Sequence, residues 1–362
     1  MFKIKKQIRG LYLSLIFGNL SLTGAWVAIL SARGYSLVEI GIAETVFHIT
    51  SLLFEIPSGV FADVFGRKKM LIVGSFMRLM GNIVMICSRN FYTVCLSMAF
   101  QALSYNFASG SNDALAYDSL KKVQLENEFE RYLSNQLIIY AVCGGLSTLC
   151  VGVSLSLGYK TAYGIDVIFS IVTVFILLSL YEIYGKEKEN GKRLWNKLYE
   201  CLKESFVFIK NSKAVMFLML CNVFIGALAT LLLFFLQTKL TEKGIPEKWP
   251  GVALMFMEMG GIVGSKLILK LKNLKYKNTF LIASFLVFIG YTFEHSSIYL
   301  IMVFGGFLSA LADDALQVRT NAKIQDMIPS EQRATLTSVE SFLFSSVMIV
   351  LSPLAGIFFS KW

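Results

Sequence analysis

Glu44, His48, Ser51, Glu55 and Gly59 stand three or four residues apart in an otherwise apolar stretch. At about 100° per residue they share one narrow stripe of a helix. From Glu44 to Glu55 the stripe runs roughly 16 Å at ~1.5 Å per residue. Carboxylates and an imidazole in such a row can relay protons or line a path for a polar solute, because imidazole is the side chain that changes charge around neutral pH. Local packing is the second reading, with Glu44 solvated near one membrane surface and Glu55 paired near the other.

A second polar face lies further along the chain. Asn106, Gly110, Asp113 and Tyr117 fall on one side of a helix, with Asp118 at its end. Between the two faces comes Arg78, with Asn82 one turn on. An ionised group at the centre of a membrane helix costs at least ~2.5–3.5 kcal/mol, so Arg78 needs a counter-charge. Asp113 is the natural partner and Glu55 the second, in a structural ion pair or in a transport role. The later part of the chain offers Asn222, Gln237, Glu258, Asp313, Asp314 and Glu340. Glu258 and Glu340 are expected deepest, and Asp313 and Asp314 are expected as solvated charges near the cytoplasmic end of their span.

The elements that must position these groups are membrane helices. The 362 residues are 55% hydrophobic and 16% charged, where soluble domains run near a quarter charged. Stretches of roughly 20 apolar residues, enough to cross a bilayer, number eleven: 11–32, 38–62, 70–89, 92–117, 133–158, 162–184, 214–238, 250–271, 278–293, 297–318 and 334–360. The net charge of +10 is carried between them. Cations crowd the N-terminus (Lys3, Lys5, Lys6, Arg9), the 2–3 loop (Arg67, Lys68, Lys69) and the 8–9 loop (Lys266, Lys270, Lys272, Lys275, Lys277). The positive-inside rule then predicts a cytoplasmic N-terminus and removes nucleic acid as the reason for the charge. Residues 186–213 space Leu194, Leu198, Cys201, Leu202 and Ile209 helically among cations, as a linker helix lying on the cytoplasmic surface would. It separates a first bundle, 1–185, from a second, 214–362.

The two bundles repeat. Phe107 to Leu115 resembles Phe307 to Leu316, with Asp113 falling on Asp314 at an offset of 201. The same offset carries Gly59 onto Gly260 and the start of the fifth span onto that of the eleventh. Parallel repeats of this kind are a transporter architecture.

The loop Gly59-Val60-Phe61-Ala62-Asp63-Val64-Phe65-Gly66-Arg67-Lys68-Lys69 resembles the signature of the major facilitator superfamily. That signature reads G-x-x-a-D-x-x-G-R and two further cations. The run Ser109 to Leu120 is similar to the S-G-x-x-acid-A-L-x-Y-D-S-L stretch of its bacterial efflux-type members. The resemblance implies an all-α fold of two pseudo-symmetric bundles and alternating access. It also implies a gate in which Asp63 meets the start of the eleventh helix near Arg333, stabilising the outward-open state. Gly59 and Gly66 would shape that turn, and Arg67 and Lys68 would hold Asp118 or lipid phosphate. The family has twelve spans, and the offset leaves this chain before its twelfth; a truncated, non-transporting protein is one alternative. The G-x-x-x-G-P-x-x-G-G pattern of many antiporters has no proline counterpart near Cys143-Gly144-Gly145.

No phosphate-binding G-x-x-x-x-G-K loop, zinc spacing or hydrolase elbow occurs, so neither an enzyme nor a cofactor or metal is implied. Energy is expected from a proton gradient. The expectation is a monomeric multi-pass protein of a bacterial plasma membrane that exports a small amphipathic compound. Proton-coupled nutrient uptake is the alternative.

Overall fold

The computed structural model describes residues 2–182, 199–200, 203, 212–242, 249–271, 273–325, 327 and 333–361. The expected linker helix, 186–213, falls largely outside them. Helix occupies all eleven expected positions, and no strand occurs among the described residues.

Three spans are broken. The first is α1 (Phe2–Asn19) followed by α2 (Trp26–Ala32). The second and third are continuous, α3 (Leu37–Phe65) and α4 (Arg67–Cys87). The fourth divides into α5 (Phe91–Ala108) and α6 (Ser111–Lys121) at Gly110, whose φ of +67° is left-handed backbone that glycine adopts without strain. The fifth divides into α7 (Phe129–Leu149) and α8 (Val151–Leu157), bent by 48°. The sixth is α9 (Tyr159–Leu178). The later spans are α10 (Lys213–Glu242), α11 (Pro250–Lys270), α12 (Tyr276–Glu294), α13 (Tyr299–Gln325) and α14 (Arg333–Ser360). Seven of these helices are individually long and apolar enough to cross a membrane, and α7 with α8 makes an eighth.

The chain forms two compact units. The first comprises residues 1–24, 46–147 and 157–202, the second 25–45, 148–156 and 203–362. The first packs α1, α4, α6, α7 and α9 around Leu11, Leu15, Leu71, Leu115, Tyr132 and Leu177. The second packs α10, α12 and α13 around Ile225, Ala229, Ala283, Val287 and Leu316. Leu115 and Leu316, related by the repeat offset, are both fully buried in these cores (1% and 0% exposed).

In hydrocarbon, apolar side chains gain little by leaving lipid, so helices associate through close backbone approach at small residues. In α11, Gly260 and Gly264 sit directly against the backbone of Phe307 and Leu311 on α13. The repeat mate Gly59 differs: a side chain there would meet nothing within 4 Å. Gly264→Ala is expected to destabilise the protein by about 1–3 kcal/mol through overpacking. Gly144→Ala, in open space on α7, should be neutral or stabilise by up to ~1 kcal/mol. Thermal unfolding in detergent, followed by circular dichroism, separates the two.

Candidate functional site

The polar stripe of α3 faces protein. Glu44, His48 and Ser51 are 7%, 6% and 4% exposed, while Ile49 and Leu53 on the other side are 42% and 62% exposed. Ser51 and Asn106 lock α3 to α5 reciprocally. The Ser51 hydroxyl donates to Asn106 Oδ1 at 2.9 Å, and Asn106 Nδ2 donates to the Ser51 carbonyl at 2.7 Å. The same Nδ2 reaches Glu55 Oε2 at 3.4 Å. The expected residues Ser51, Glu55 and Asn106 are thereby one constellation.

Beside it, within the first unit, lies a cavity of about 860 Å³. Its wall carries Asn19, Phe47, Arg78, Gln101, Tyr105, Asp113, Gln136 and Tyr140. Arg78 and Asp113 both face this space, but they are not the ion pair expected from spacing. Asp113 accepts a hydrogen bond from Gln136 Nε2 at 2.8 Å, and that nitrogen also reaches the Tyr140 hydroxyl at 3.0 Å. The break at Gly110 is the reason: it starts a new helix, α6, whose face turns to α7, where Asn112 also donates to the Tyr132 hydroxyl at 2.7 Å.

Asp166 on α9, a residue the sequence reading passed over, is the carboxylate whose charge acts on Arg78, without a direct ion pair between them. Asp166 is 1% exposed. It accepts from Ser21 Oγ at 2.6 Å, from Thr23 Oγ1 at 2.5 Å and from the Leu22 amide at 2.8 Å. Arg78 Nη2 points to the Leu20 carbonyl at 3.4 Å. Together they satisfy both signs of the unwound segment between α1 and α2. Asp166 is an acid inside an apolar span, and that alone marks a functional candidate.

The motif loop turns at Gly66 (φ +104°), where a side chain would strike the Glu182 carboxylate at 2.6 Å. Arg67 forms the expected ion pair with Asp118 and donates to the Ala114 carbonyl at 3.1 Å. Lys68 Nζ donates at 3.0 Å to the Leu178 carbonyl, at the end of α9, where the helix dipole favours a cation. The motif's cations thus tie the start of α4 to α6 and α9. Asp63 is exposed on the last turn of α3, and Gly59 is exposed one turn before it. Arg333 is the first residue of α14, and its side chain lies outside the described atoms.

In the second unit, Glu258 accepts from Thr148 Oγ1 at 3.1 Å, and Glu340 on α14 faces Asn222 on α10. Asp313 and Asp314 are not end charges. The helix α13 continues seven residues beyond the expected span end, to Gln325, which puts both acids at its middle. Three glycines make backbone contacts within this unit between parts that come from opposite halves of the sequence. Gly41 on α3 abuts Ser352 and Pro353 on α14, and Gly356 on α14 abuts Leu37 and Val38 on α3. Gly251 on α11 abuts the Thr148 and Leu149 carbonyls at the α7–α8 break. Thr45 Oγ1 adds a hydrogen bond to the Ile349 carbonyl at 3.3 Å.

A sequence profile described as Major Facilitator Superfamily matches residues 10–353. The chain belongs to the major facilitator superfamily. An uncharacterised MFS-type transporter of Bacillus subtilis (strain 168), YxaM, is 26% identical over 268 residues. The match spans 71% of this chain and 63% of YxaM. An uncharacterised transporter of Buchnera aphidicola subsp. Schizaphis graminum is 27% identical over 172 residues, 47% of this chain and 42% of that protein. The chain therefore spans less than two thirds of the length of these relatives.

Among solved structures, the nucleoside transporter NupG superposes with a TM-score of 0.73 at 14% identity, over 100% of this chain and 96% of that one. The peptide transporter POT superposes at 0.71 and 10% identity, covering 98% and 90%. At these identities they speak for the fold alone. The superfamily is one of transporters rather than enzymes, and seven helices of this chain are long and apolar enough to cross a membrane.

The two charge arrangements around the cavity make a direct test. Asp166→Ala removes the acceptor of three hydrogen bonds and the carboxylate that acts on Arg78, and should cost about 3–5 kcal/mol. Asp113→Asn keeps the Gln136 contact within reach and should cost about 1 kcal/mol or less. Adding Arg78→Met should recover much of the Asp166→Ala loss and none of the Asp113→Asn loss. Denaturation in detergent measures all four variants, and an Arg78 coupling to Asp113 larger than that to Asp166 would refute the assignment.

Proposed function

We propose that this transporter is driven by protons and exports a small amphipathic compound by alternating access. The observation that carries the reading is the cavity beside the α3 stripe. It offers one cation, one acid, several amides and the rings of Phe47, Tyr105 and Tyr140. That mixture suits a ligand with an apolar body and a few polar anchors. In this reading Arg78 and Asp113 meet the solute, and Asn106 belongs to the path behind the wall, bonded to Ser51 and Glu55. Glu44, His48, Glu55, Glu258 and Glu340 are the groups along which protons or solute pass.

Gly59, Asp63, Gly66, Arg67 and Lys68 form the gating motif on the cytoplasmic side, with Asp118 and Arg333 in its charge network. The glycine contacts of Gly41, Gly356 and Gly251 are the opposing, external closure. The working bodies are the bundles 1–185 and 214–362, joined by 186–213, in a monomer with its N-terminus in the cytoplasm of a plasma membrane. Close helix contacts made through glycine involve little apolar area and can be exchanged for others during the cycle.

A second reading, proton-coupled uptake of a hydrogen-bonding nutrient, draws on the amide-rich wall formed by Asn19, Gln101, Asn112 and Gln136. The direction of movement separates them. Expression in a pump-deficient bacterium should lower accumulation of ethidium or another member of a cationic and amphipathic drug panel. An uncoupler should abolish the difference. Unchanged accumulation of every drug, together with energised uptake of a labelled solute by membrane vesicles, would establish the second reading. Asp63→Asn is expected to reduce efflux about tenfold, equivalent to ~1.4 kcal/mol in the gating equilibrium, with normal membrane insertion. Efflux equal to wild type would remove Asp63 from the gate.

A further inference from the structure

Most acids within the helices of this chain are given a donor. Asp166 has two hydroxyls and an amide; Asp113 has Gln136; Asp118 has Arg67; Glu258 has Thr148. Asp313, at the middle of α13, accepts no hydrogen bond and faces no cation among the described residues. Its carboxylate occupies a notch on α10 that exists because residue 226 is glycine: a Cβ there would lie 3.1 Å from Oδ1.

Its surroundings supply acceptors and apolar groups. Asn222 is one turn before Gly226 on α10 and 5% exposed, and its Oδ1 has no donor. Ser309 is one turn before Asp313 on α13 and fully buried, and its hydroxyl has no partner. From α12 come Gly290, Ala283 and Val287, together with Tyr276 and Tyr291, whose hydroxyls donate to the Leu218 and Leu228 carbonyls of α10. From α11 comes Gly261, against which the neighbouring Asp314 is seated, while Glu258 on that helix is tied to Thr148. The next cation along α13, Arg319, donates to the Ile268 and Leu271 carbonyls at the end of α11. An ionised carboxylate placed here would be largely removed from solvent, without a donor and beside a second acid, which costs several kcal/mol.

We propose that Asp313 is a proton-binding site of the second unit, and that the proton it holds is exchanged during transport. It deepens the proton-driven reading above and rests on it. The protonated acid brings one O–H donor to the stretch of α10 where Asn222 Oδ1, one turn before Gly226, has none. When α13 and α10 separate and water enters the notch, the O–H bond breaks heterolytically. The proton leaves to water and the carboxylate stays behind, hydrated. No oxidation or reduction is involved.

Infrared difference spectroscopy of the purified full chain in lipid, between acidic and alkaline buffer, reads this without a transported compound. Wild type should show a protonated-carboxyl C=O band that shifts in heavy water. The band should be lost in Asp313→Asn, retained in Asp314→Asn, and present at a shifted frequency in Asp313→Glu, which also controls for folding. A band that survives Asp313→Asn overturns the proposal. So does a band that disappears when sodium replaces choline at constant pH, because a metal cation then fills the notch. A drug panel that shows no efflux would sink the export reading while leaving this band in place, and loss of the site would leave export standing.

Discussion

A bilayer offers no water to a polar group, so every backbone amide, carbonyl and charge at membrane depth must find its partner in the protein. The rest of the structure follows from how this chain meets that demand where its helices break. Between α1 and α2 the backbone is unwound, and Asp166 and Arg78 converge on it from α9 and α4. The acid takes the donors of Ser21, Leu22 and Thr23, and the guanidinium takes the Leu20 carbonyl. One acid and one guanidinium thus hold the first span in two pieces, each bonded to the unwound backbone.

That anchoring positions the cavity. Asn19 lies at the end of α1, Arg78 on α4 and Ser170 one turn from Asp166 on α9, and all three are on the cavity wall. The second break acts in the same way. Gly110 lets the fourth span restart at Ser111, so that Asp113 is presented to α7 and to the cavity together. Irregular backbone within a membrane is tolerated where it is buried in protein or lines a cavity, and here the breaks and the cavity coincide.

A second demand is close approach without a strong hydrophobic driving force. The chain meets it with glycine at Gly260 and Gly264, and again at Gly41, Gly356 and Gly251. The last three join residues 25–45 and 148–156 to the helices that follow residue 203. The compact units therefore do not coincide with the halves of the sequence repeat. Glycine also explains where acids can be held, since Asp313 and Asp314 occupy space left by Gly226 and Gly261.

Much was legible in the residues themselves. Hydrophobic length marked the spans, because membrane thickness sets it locally. Helical periodicity put Glu44, His48, Ser51 and Glu55 on one face, and that face is the inner one. The motif loop named its family and the Arg67–Asp118 pair, and the offset of 201 matched Leu115 to Leu316 in the two cores. What spacing could not decide was which helix stands beside which, and at what depth. Arg78 was matched to Asp113 because both are central in adjacent spans. The fold instead brings α9 to α4, so the acid whose charge acts on Arg78 is Asp166, and the break at Gly110 turns Asp113 toward Gln136. Asp313 was placed near an end because the helix was expected to stop sooner than it does. Periodicity and length are properties of a segment and can be read from it. A partner, a depth and a crossing point depend on how separate segments pack, and only the tertiary structure supplies them.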